Sequence, residues 1–200
     1  KNISLRRKKY FFNFIGSKRA VTEDHTEQIK VIVDACRSMS KAKTGALLVF
    51  SRYFDEEYYQ SSGEYIDAPL SKRLLESIFF KNSPLHDGAA VIVDFRVMTA
   101  SSVLPLSDSE DLPPQFGLRH RAAIGVTEVS EAVAVIVSEE TGTISIVNNG
   151  KITRNYNPTS AATELRRLLL TNEDKDSNST VTSVIKKILP IRKKEEEADK

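Results

Sequence analysis

This chain lacks several features that would place it in a specialised class of protein. Its 200 residues include a single cysteine, Cys36, so an internal disulfide is excluded and a reducing compartment is favoured. No run approaches the roughly 18 consecutive apolar residues that a membrane-spanning helix needs, and no signal peptide is recognisable. Internal repeats and low-complexity tracts are also absent. The formal net charge is only +2, so composition does not select a polyanionic partner.

What is present is the composition of an ordinary soluble globular chain, with 40% hydrophobic and 28% charged residues. The length suits one domain with extensions and a sizeable core. We expect a basic segment over residues 1–20, a domain over 21–170, and a polar linker, helix and charged tail over 171–200. Because the chain begins with Lys1 rather than Met, we expect it to be a fragment or a processed product.

The first segment is basic and aromatic, which leaves two interpretations open. It could lie against an anionic membrane surface, or follow a transmembrane helix as its cytoplasmic flank. It could equally be a solvated arm whose aromatic rings dock on the domain. The basic residues are Lys1, Arg6, Arg7, Lys8, Lys9, Lys18 and Arg19, and the aromatic residues are Tyr10, Phe11, Phe12 and Phe14.

Residues 21–170 alternate helical and strand patterns, as is typical of an α/β domain. Thr22 is a suitable N-cap for a first helix, whose apolar positions, Cys36 among them, recur at helical spacing and face the core. Residues 44–50 form an apolar run typical of a strand buried on both faces. Ser71 is expected to cap a second helix, which ends near 82–84 because the residue before a proline avoids helical dihedral angles.

The second half of the domain continues the alternation. Together the elements predict a mixed central β-sheet of about five to seven strands flanked by helices. Asn157 and Pro158 supply the cap and the first residue of a further helix. The other predicted elements are strands over 89–93, 97–104, 132–137 and 143–147, a loop over 107–115, and helices over 118–125 and from 181.

The first candidate for chemistry is the block Leu85-His86-Asp87-Gly88-Ala89. An imidazole and a carboxylate at a turn that glycine permits could bind a divalent cation. The alternative is that Asp-Gly is a common turn dipeptide between apolar runs. This block by itself does not decide between a site and a turn.

The second candidate is the block Arg119-His120-Arg121. Guanidinium groups bind phosphate oxygens, so these arginines and a cation-binding carboxylate together indicate phosphoryl or nucleotidyl transfer. Arginines separated by one residue point to different sides of a regular helix. They converge on one ligand only at a helix N-terminus, where free N–H groups also favour anions. The alternative is an ordinary helix start with exposed basic side chains.

Two weaker signals accompany these blocks. Residues 138–142 could be a polar hairpin tip, or could return the Ser138 hydroxyl and a carboxylate to the edge of the sheet. The small residues Gly45 and Ala46 would let a planar ring approach the backbone, and would equally let a helix pack closely. Both signals leave their alternatives open.

In combination, these blocks resemble the bacterial diadenylate cyclases. The blocks at 87–89 and 119–121 match that family's two signature motifs, in the same order and at similar spacing. The likeness covers roughly residues 21–170, includes 104–107 and 137–142, and is closest to the branch in which transmembrane helices precede the cyclase domain. One departure is Leu118, where the family often carries a threonine that could contact a phosphate.

The resemblance implies that two ATP molecules condense to cyclic di-AMP with release of two pyrophosphates. It implies a divalent cation (Mn²⁺, Mg²⁺ or Co²⁺) and a face-to-face homodimer in which each 3′-hydroxyl meets the opposite α-phosphate. It also implies a location at the cytoplasmic face of the bacterial membrane and an anchor N-terminal to this chain. No nucleic-acid partner is expected, because the net charge is near neutral. A non-catalytic nucleotide sensor on the same fold is the main alternative, and a nucleic-acid-binding module driven by the basic N-terminus is a third.

The same resemblance implies roles for individual residues. Asp87 would orient or deprotonate the attacking hydroxyl group, and two arginines would hold the triphosphate. The implied catalytic residues are Asp87, Gly88, Ala89, Arg119, His120 and Arg121, the implied ATP-binding residues are Gly45, Ala46, Leu104, Arg119, Arg121 and Ser138, and the implied metal ligands are His86, Asp87 and Glu140.

Overall fold

The computed structural model describes residues 18–52 and 63–170, with side chains described from residue 25 onward. In this part of the chain, four helices cover one seven-stranded sheet, which confirms the expected mixed α/β fold. The elements in chain order are α1 (Lys18–Ala42), β1 (Ala46–Phe50), β2 (Glu64–Pro69), α2 (Lys72–Ile78), β3 (Ala89–Val93), β4 (Arg96–Ser102), α3 (Leu118–Val129), β5 (Val133–Val137), β6 (Ile144–Asn148), β7 (Lys151–Thr153) and α4 (Pro158–Leu170).

The strands lie in the order β2-β4-β3-β1-β5-β6-β7. Strands β1 and β3 are parallel neighbours, and every other neighbouring pair is antiparallel. All five residues of β1 are buried. A continuous apolar run is what a strand covered on both faces requires. The prediction of such a strand over 44–50 is therefore confirmed, two residues shorter at its start.

Alternate side chains of the sheet enter two separate hydrophobic cores. Leu48 belongs to the larger core, which α1, α2 and α4 cover. Leu47 and Val49 belong to the second core, which contains α3 and Phe116 from the loop before it. The sheet is therefore the middle of three layers, and burial of apolar surface on its second face holds α3 in place.

Local capping signals predicted two helix starts correctly. The Ser71 hydroxyl accepts a hydrogen bond from the Leu74 N–H at 3.2 Å, at the start of α2. The Asn157 side chain accepts one from the Ser160 N–H at 2.9 Å, at the start of α4. Both bonds satisfy backbone donors that a helix leaves free in its first turn.

The lone cysteine also lies where its pattern predicted. Cys36 is only 2% exposed, in the core beneath α1. Burial raises the pKa of its thiol to about 12, since a thiolate is poorly solvated there. It is a core residue and not a nucleophile.

Two helix boundaries on the first face differ from the prediction. Helix α1 begins at Lys18, so Thr22 lies inside it and is not its cap. The preceding lysine and arginine are good helix formers, which lets the helix start earlier. Helix α2 ends at Ile78 and does not reach 82–84, because the chain turns at once, with the Ser83 N–H donating to the Phe80 carbonyl at 2.7 Å.

Two boundaries near the second core also differ. Helix α3 continues to Val129 and does not end at Gly125. Gly125 lets α3 pack closely against the loop over 103–109, since a Cβ there would clash with the Pro105 carbonyl oxygen. Strand β4 ends at Ser102, two residues before the predicted end, and the chain then leaves the sheet as a loop.

The prediction missed β7, a strand of three residues that pairs with β6. The turn between them is Asn149-Gly150, and both residues have positive φ (49° and 70°), as a tight hairpin turn requires. The helix predicted from 181 lies outside the described residues. Among residues 18–52 and 63–170, no helix has the length and apolar character needed to cross a bilayer.

Candidate active site at one edge of the sheet

Most of the chemically interesting residues gather at one edge of the sheet. Because β1 and β3 are parallel, both begin at this edge, and Gly45 and Asp87 stand just before them. Leu48 pairs with Ala90 near the start of both strands, so the segments that carry Gly45 and Asp87 enter the sheet side by side. Neighbouring strands are about 4.8 Å apart. Strand β5 ends at the same edge, since Val137 pairs with the first residue of β1.

The turn before β3 can be formed only by glycine at its centre. Gly88 has φ +108°, and a Cβ there would lie 2.7 Å from the Ser101 carbonyl carbon and 2.8 Å from the Ser102 carbonyl oxygen. The Ser101 hydroxyl donates to the Asp87 carbonyl oxygen at 2.6 Å. These contacts fix the backbone of Asp87, whose side chain is exposed at the edge.

The half-buried His86 has a defined free nitrogen. Its Nδ1 lies 2.6 Å from the Ser83 carbonyl oxygen, which can only accept, so Nδ1 carries the proton. Nε2 is then the ring nitrogen that can serve as a metal ligand. In the described part of the chain, no three His, Cys, Asp or Glu side chains are grouped to hold a metal, so Glu140 does not join His86 and Asp87 in one such group.

Helix α3 points its N-terminus at this edge. Arg119, in its first turn, donates from Nη1 to Glu139 Oε2 at 2.9 Å. A Cβ placed at Gly45 would lie 2.8 Å from that same Nη1, so the guanidinium rests directly on Gly45. Its Nε is buried, and no hydrogen-bond partner for it exists among the described residues. The space beyond Gly117, the N-cap residue, is open.

Arg121 has a different partner from Arg119. Its Nη2 donates to the Ser107 carbonyl oxygen at 2.9 Å, and the Ser107 N–H donates back to the Arg121 carbonyl at 3.0 Å. This pair of bonds ties α3 to the loop over 103–109. In the same loop, Leu104 is buried in the second core. The two arginines therefore begin one helix but share no partner in this structure.

His120 is part of an aromatic stack that the sequence did not predict. The centroid of its ring lies 4.7 Å from that of Phe116, at an interplanar angle of 13°. The Arg154 guanidinium lies over the Phe116 ring, 5.4 Å from its centroid. Burial lowers the pKa of His120, the charge of Arg154 lowers it further, and the charge of Glu140 opposes both. Arg154 follows the missed strand β7, and no motif marked it.

Replacing Arg154 with Gln should raise the pKa of His120 towards its ordinary value of 6.5, because one of the charges that lowers it is removed. An NMR titration of the His120 ring measures this directly. With Arg154 present, the free energy of unfolding should fall as pH drops below 6.5, since the unfolded chain binds the proton first. Arg166→Gln, on α4, is the control, and an unchanged pKa in Arg154→Gln would contradict the prediction.

The turn between β5 and β6 completes the edge. The Ser138 N–H donates to the Thr143 carbonyl at 3.0 Å, the Gly142 N–H donates to the Ser138 carbonyl at 2.8 Å, and the Ser138 hydroxyl accepts from the Thr141 N–H at 3.3 Å. The hydroxyl keeps its own proton for a further acceptor. Glu140, on the same turn, is exposed.

The structure thus brings together most of the predicted residues at one edge. Gly45 and Ala46, the turn 86–89, Ser138 and the start of α3 all lie there, and Leu104 lies under α3. Sequence reasoning missed three residues: Glu139 pairs with Arg119, Phe116 stacks on His120, and Arg154 lies over the Phe116 ring. The exposed carboxylates of Asp87 and Glu140 are suited to binding a cation, and the largely buried Arg119 is suited to binding a polyphosphate.

Comparison with known proteins places the chain in a family. A family model described as "DAC: DisA bacterial checkpoint controller nucleotide-binding" matches residues 33–152, which include every predicted site residue. A diadenylate cyclase from Listeria monocytogenes serotype 1/2a (strain 10403S) is 38% identical over 159 residues, covering 80% of this chain and 56% of the relative. Cyclic di-AMP synthase CdaA from Bacillus subtilis (strain 168) is 39% identical over 141 residues, covering 70% and 52%. The chain spans about half the length of these relatives.

Solved structures resemble the fold as well. DacA from Staphylococcus aureus, in a double mutant, is 39% identical with a TM-score of 0.71, covering 74% of this chain and 99% of that one. A hypothetical membrane spanning protein from Bacillus cereus is 38% identical with a TM-score of 0.60, covering 66% and 64%. With a matching family model, relatives of this identity and the same fold, the chain belongs to the DAC family, that of the bacterial diadenylate cyclases.

Proposed function

We propose that this chain is a diadenylate cyclase, which condenses two ATP molecules into cyclic di-AMP and releases two pyrophosphates. One observation carries the proposal: the Arg119 guanidinium rests on Gly45, just before β1, and Asp87 lies just before β3, the parallel neighbour of β1. A guanidinium that can bind a triphosphate and a carboxylate that can bind a hydroxyl group thus lie at the same end of two neighbouring strands. The names of the Listeria and Bacillus relatives support the same reaction.

In the proposed reaction, the exposed Asp87 carboxylate orients the 3′-hydroxyl of one ATP and accepts its proton. The 3′-oxygen then bonds to the α-phosphorus of the other ATP, and the bond to the pyrophosphate oxygen breaks. The same step between the second 3′-hydroxyl and the other α-phosphate releases the second pyrophosphate and closes the ring. The turn at Gly88 keeps the Asp87 backbone in place, so the carboxylate is positioned before substrate arrives.

The triphosphate would lie against the start of α3. Arg119 and Arg121 would bind its oxygens, and the free N–H groups of the first turn add to the attraction for an anion. The Ser138 hydroxyl, which keeps its proton, would donate to a phosphate oxygen. The family resemblance assigns Gly45, Ala46 and Leu104 to the adenine. In this structure the Arg119–Glu139 pair lies over Gly45, and Ala46 and Leu104 belong to different cores.

The residues also fit a divalent cation shared with the phosphates. His86 Nε2 and the Asp87 carboxylate would hold it, and Glu140 is the third ligand that the family resemblance implies. When bound, the cation neutralises phosphate charge that develops during transfer. Cations in such sites take a few protein ligands and complete their shell with phosphate oxygens and water. A nitrogen ligand favours Mn²⁺ or Co²⁺ over Mg²⁺.

We further propose that two copies meet face to face, because each 3′-hydroxyl must reach the α-phosphate on the opposite copy. Exposed apolar side chains near the start of α3 support a contact there: Val103 is 70% exposed, Leu106 46% and Leu118 73%. The Leu118 side chain points outward, which fits its omission from the predicted site. An anchor before this chain would place the dimer at the cytoplasmic face of the membrane, and the similarity to a Bacillus cereus protein described as membrane spanning supports that location.

Dilution tests the dimer. If both copies complete each site, the specific activity should fall as the protein is diluted through the dissociation constant of the dimer, in proportion to the fraction that remains dimeric. Product is measured at fixed ATP and cation over several decades of protein concentration. A specific activity that stays constant far below the micromolar range would contradict a weak face-to-face dimer.

Product identification tests the reaction itself. The chain is incubated with ATP and, in separate reactions, Mn²⁺, Mg²⁺ or Co²⁺, and the products are identified by mass spectrometry. We expect cyclic di-AMP and two pyrophosphates for each molecule formed. ATP binding without product under all three cations would overturn the enzyme and favour a nucleotide sensor on the same fold.

A further inference from the structure

Glu139 occupies a position that the proposed reaction does not explain. It belongs to the turn between β5 and β6, and its side chain is 64% exposed, yet its Oε2 accepts from Arg119 Nη1 at 2.9 Å. A Cβ placed at Gly45 would lie 2.9 Å from that same Oε2 and 3.0 Å from the Glu139 Cβ. The Arg119–Glu139 pair therefore crosses directly over Gly45 and uses space that only glycine leaves.

The turn that carries Glu139 is held by a hydrogen bond from helix α1. The Ser40 hydroxyl, near the end of α1, donates to the Gly142 carbonyl oxygen at 2.6 Å. A Cβ at Gly142 would clash with the Ser40 carbonyl oxygen, and φ there is +73°, so the close approach requires glycine. Glu139 thus projects from a turn that is held to both a strand and a helix.

An exposed ion pair contributes little to the free energy of folding, so stability alone does not explain this arrangement. Its main consequence is the direction of the guanidinium. Arg119 is long and has many rotamers, and ordering such a side chain on binding a ligand costs affinity. One Nη is held by Glu139, and the buried Nε has no partner among the described residues.

We propose that Glu139 is a positioning residue, whose carboxylate holds the Arg119 guanidinium over Gly45 ready for the triphosphate. It acts through Arg119 and does not itself touch the nucleotide. This rests on the proposed function in one respect, namely that Arg119 binds the triphosphate. Glu140, its neighbour, is assigned separately to the cation.

A double-mutant cycle in nucleotide affinity tests the proposal. Glu139→Ala, Arg119→Gln and the double variant are titrated calorimetrically with α,β-methylene-ATP, whose α–β bridge cannot be cleaved. In the native background, Glu139→Ala should weaken binding about fivefold, a coupling within the range for residues in direct contact. In the Arg119→Gln background, the same change should alter affinity less than about twofold.

Two further variants sharpen the result. Glu139→Gln keeps an oxygen that can accept from Arg119 Nη1, so it should recover part of the lost affinity. Glu131→Ala removes an exposed carboxylate at the opposite edge of the sheet and should leave affinity unchanged. Since Glu139 and Glu131 are exposed, their variants should keep native circular dichroism, and the Arg119 variants are checked in the same way.

Three results would overturn the positioning role. The same loss in both backgrounds would mean that Glu139 contacts the nucleotide directly. Tighter binding by Glu139→Ala would mean that it competes with the phosphates, and no change would mean that Arg119 needs no positioning. A native chain that fails to bind the analogue overturns both proposals, whereas intact coupling without cyclic di-AMP overturns only the proposed function.

Discussion

Replacing Asp87 with Asn should lower the rate of cyclic di-AMP formation by about 10²- to 10⁴-fold, the usual contribution of a general base. Asparagine has nearly the same shape, but it cannot accept the proton of the 3′-hydroxyl and is a weaker ligand for a divalent cation. Product formed from ATP and Mn²⁺ is measured by mass spectrometry. Affinity for α,β-methylene-ATP without cation should change far less, because Asp87 is assigned to the hydroxyl and the cation.

The matched control is Asp94→Asn. Asp94 follows β3 at the opposite edge of the sheet and has φ 49°, a conformation that asparagine tolerates well. It removes one carboxylate near the same strand without touching the site, so activity should be retained. If Asp87→Asn kept more than about a tenth of native activity, Asp87 would not be the general base.

Replacing Arg119 with Gln should lower kcat/KM by about 10²-fold or more, as loss of one fixed donor to a developing negative charge commonly does. The change removes the guanidinium that rests on Gly45 and leaves Glu139 without its partner. Both KM for ATP and kcat should worsen, because the triphosphate is held in the ground state and pyrophosphate charge grows in the transition state. Initial rates over a range of ATP concentrations separate the two effects.

Arg167→Gln is the control for Arg119. Arg167 lies on α4, on the other face of the sheet, and pairs with Glu164 at 2.6 Å on the surface. The Arg167→Gln substitution lowers the net charge by the same amount as Arg119→Gln, but it leaves the site where β1 and β3 begin unchanged. Equal losses of activity in both variants would indicate a general effect of charge and would exclude a specific contact by Arg119.

Much of the fold was predictable because its signals are local. An apolar run identifies a doubly covered strand, and Ser71 and Asn157 act within their own helices. The missed strand β7 has three residues, too few for any periodicity to be recognised. Its available signal was the Asn149-Gly150 turn, which is also local.

The site was predictable only in part. Motif resemblance marked the residues that face the proposed substrate, but the contacts that orient them come from distant positions. Phe116 stacks on His120 from the loop before α3, and Arg154, which follows β7, lies over the Phe116 ring. Their positions in the chain carry no signal of that contact, since stacking depends on how α3 is seated on the sheet.

By itself, the order of residues determined the α/β alternation, the buried strands and the identity of the two chemical blocks, since these depend on neighbours along the chain. Only the tertiary structure decided that Gly45 and Asp87 lie at the same end of neighbouring strands, because that follows from parallel pairing of β1 and β3. It also decided which adjacent carboxylate meets Arg119. Residues 139 and 140 are both glutamate, so the sequence does not distinguish them. The conformation of the turn between β5 and β6, which Ser40 holds at Gly142, directs Glu139 to the guanidinium.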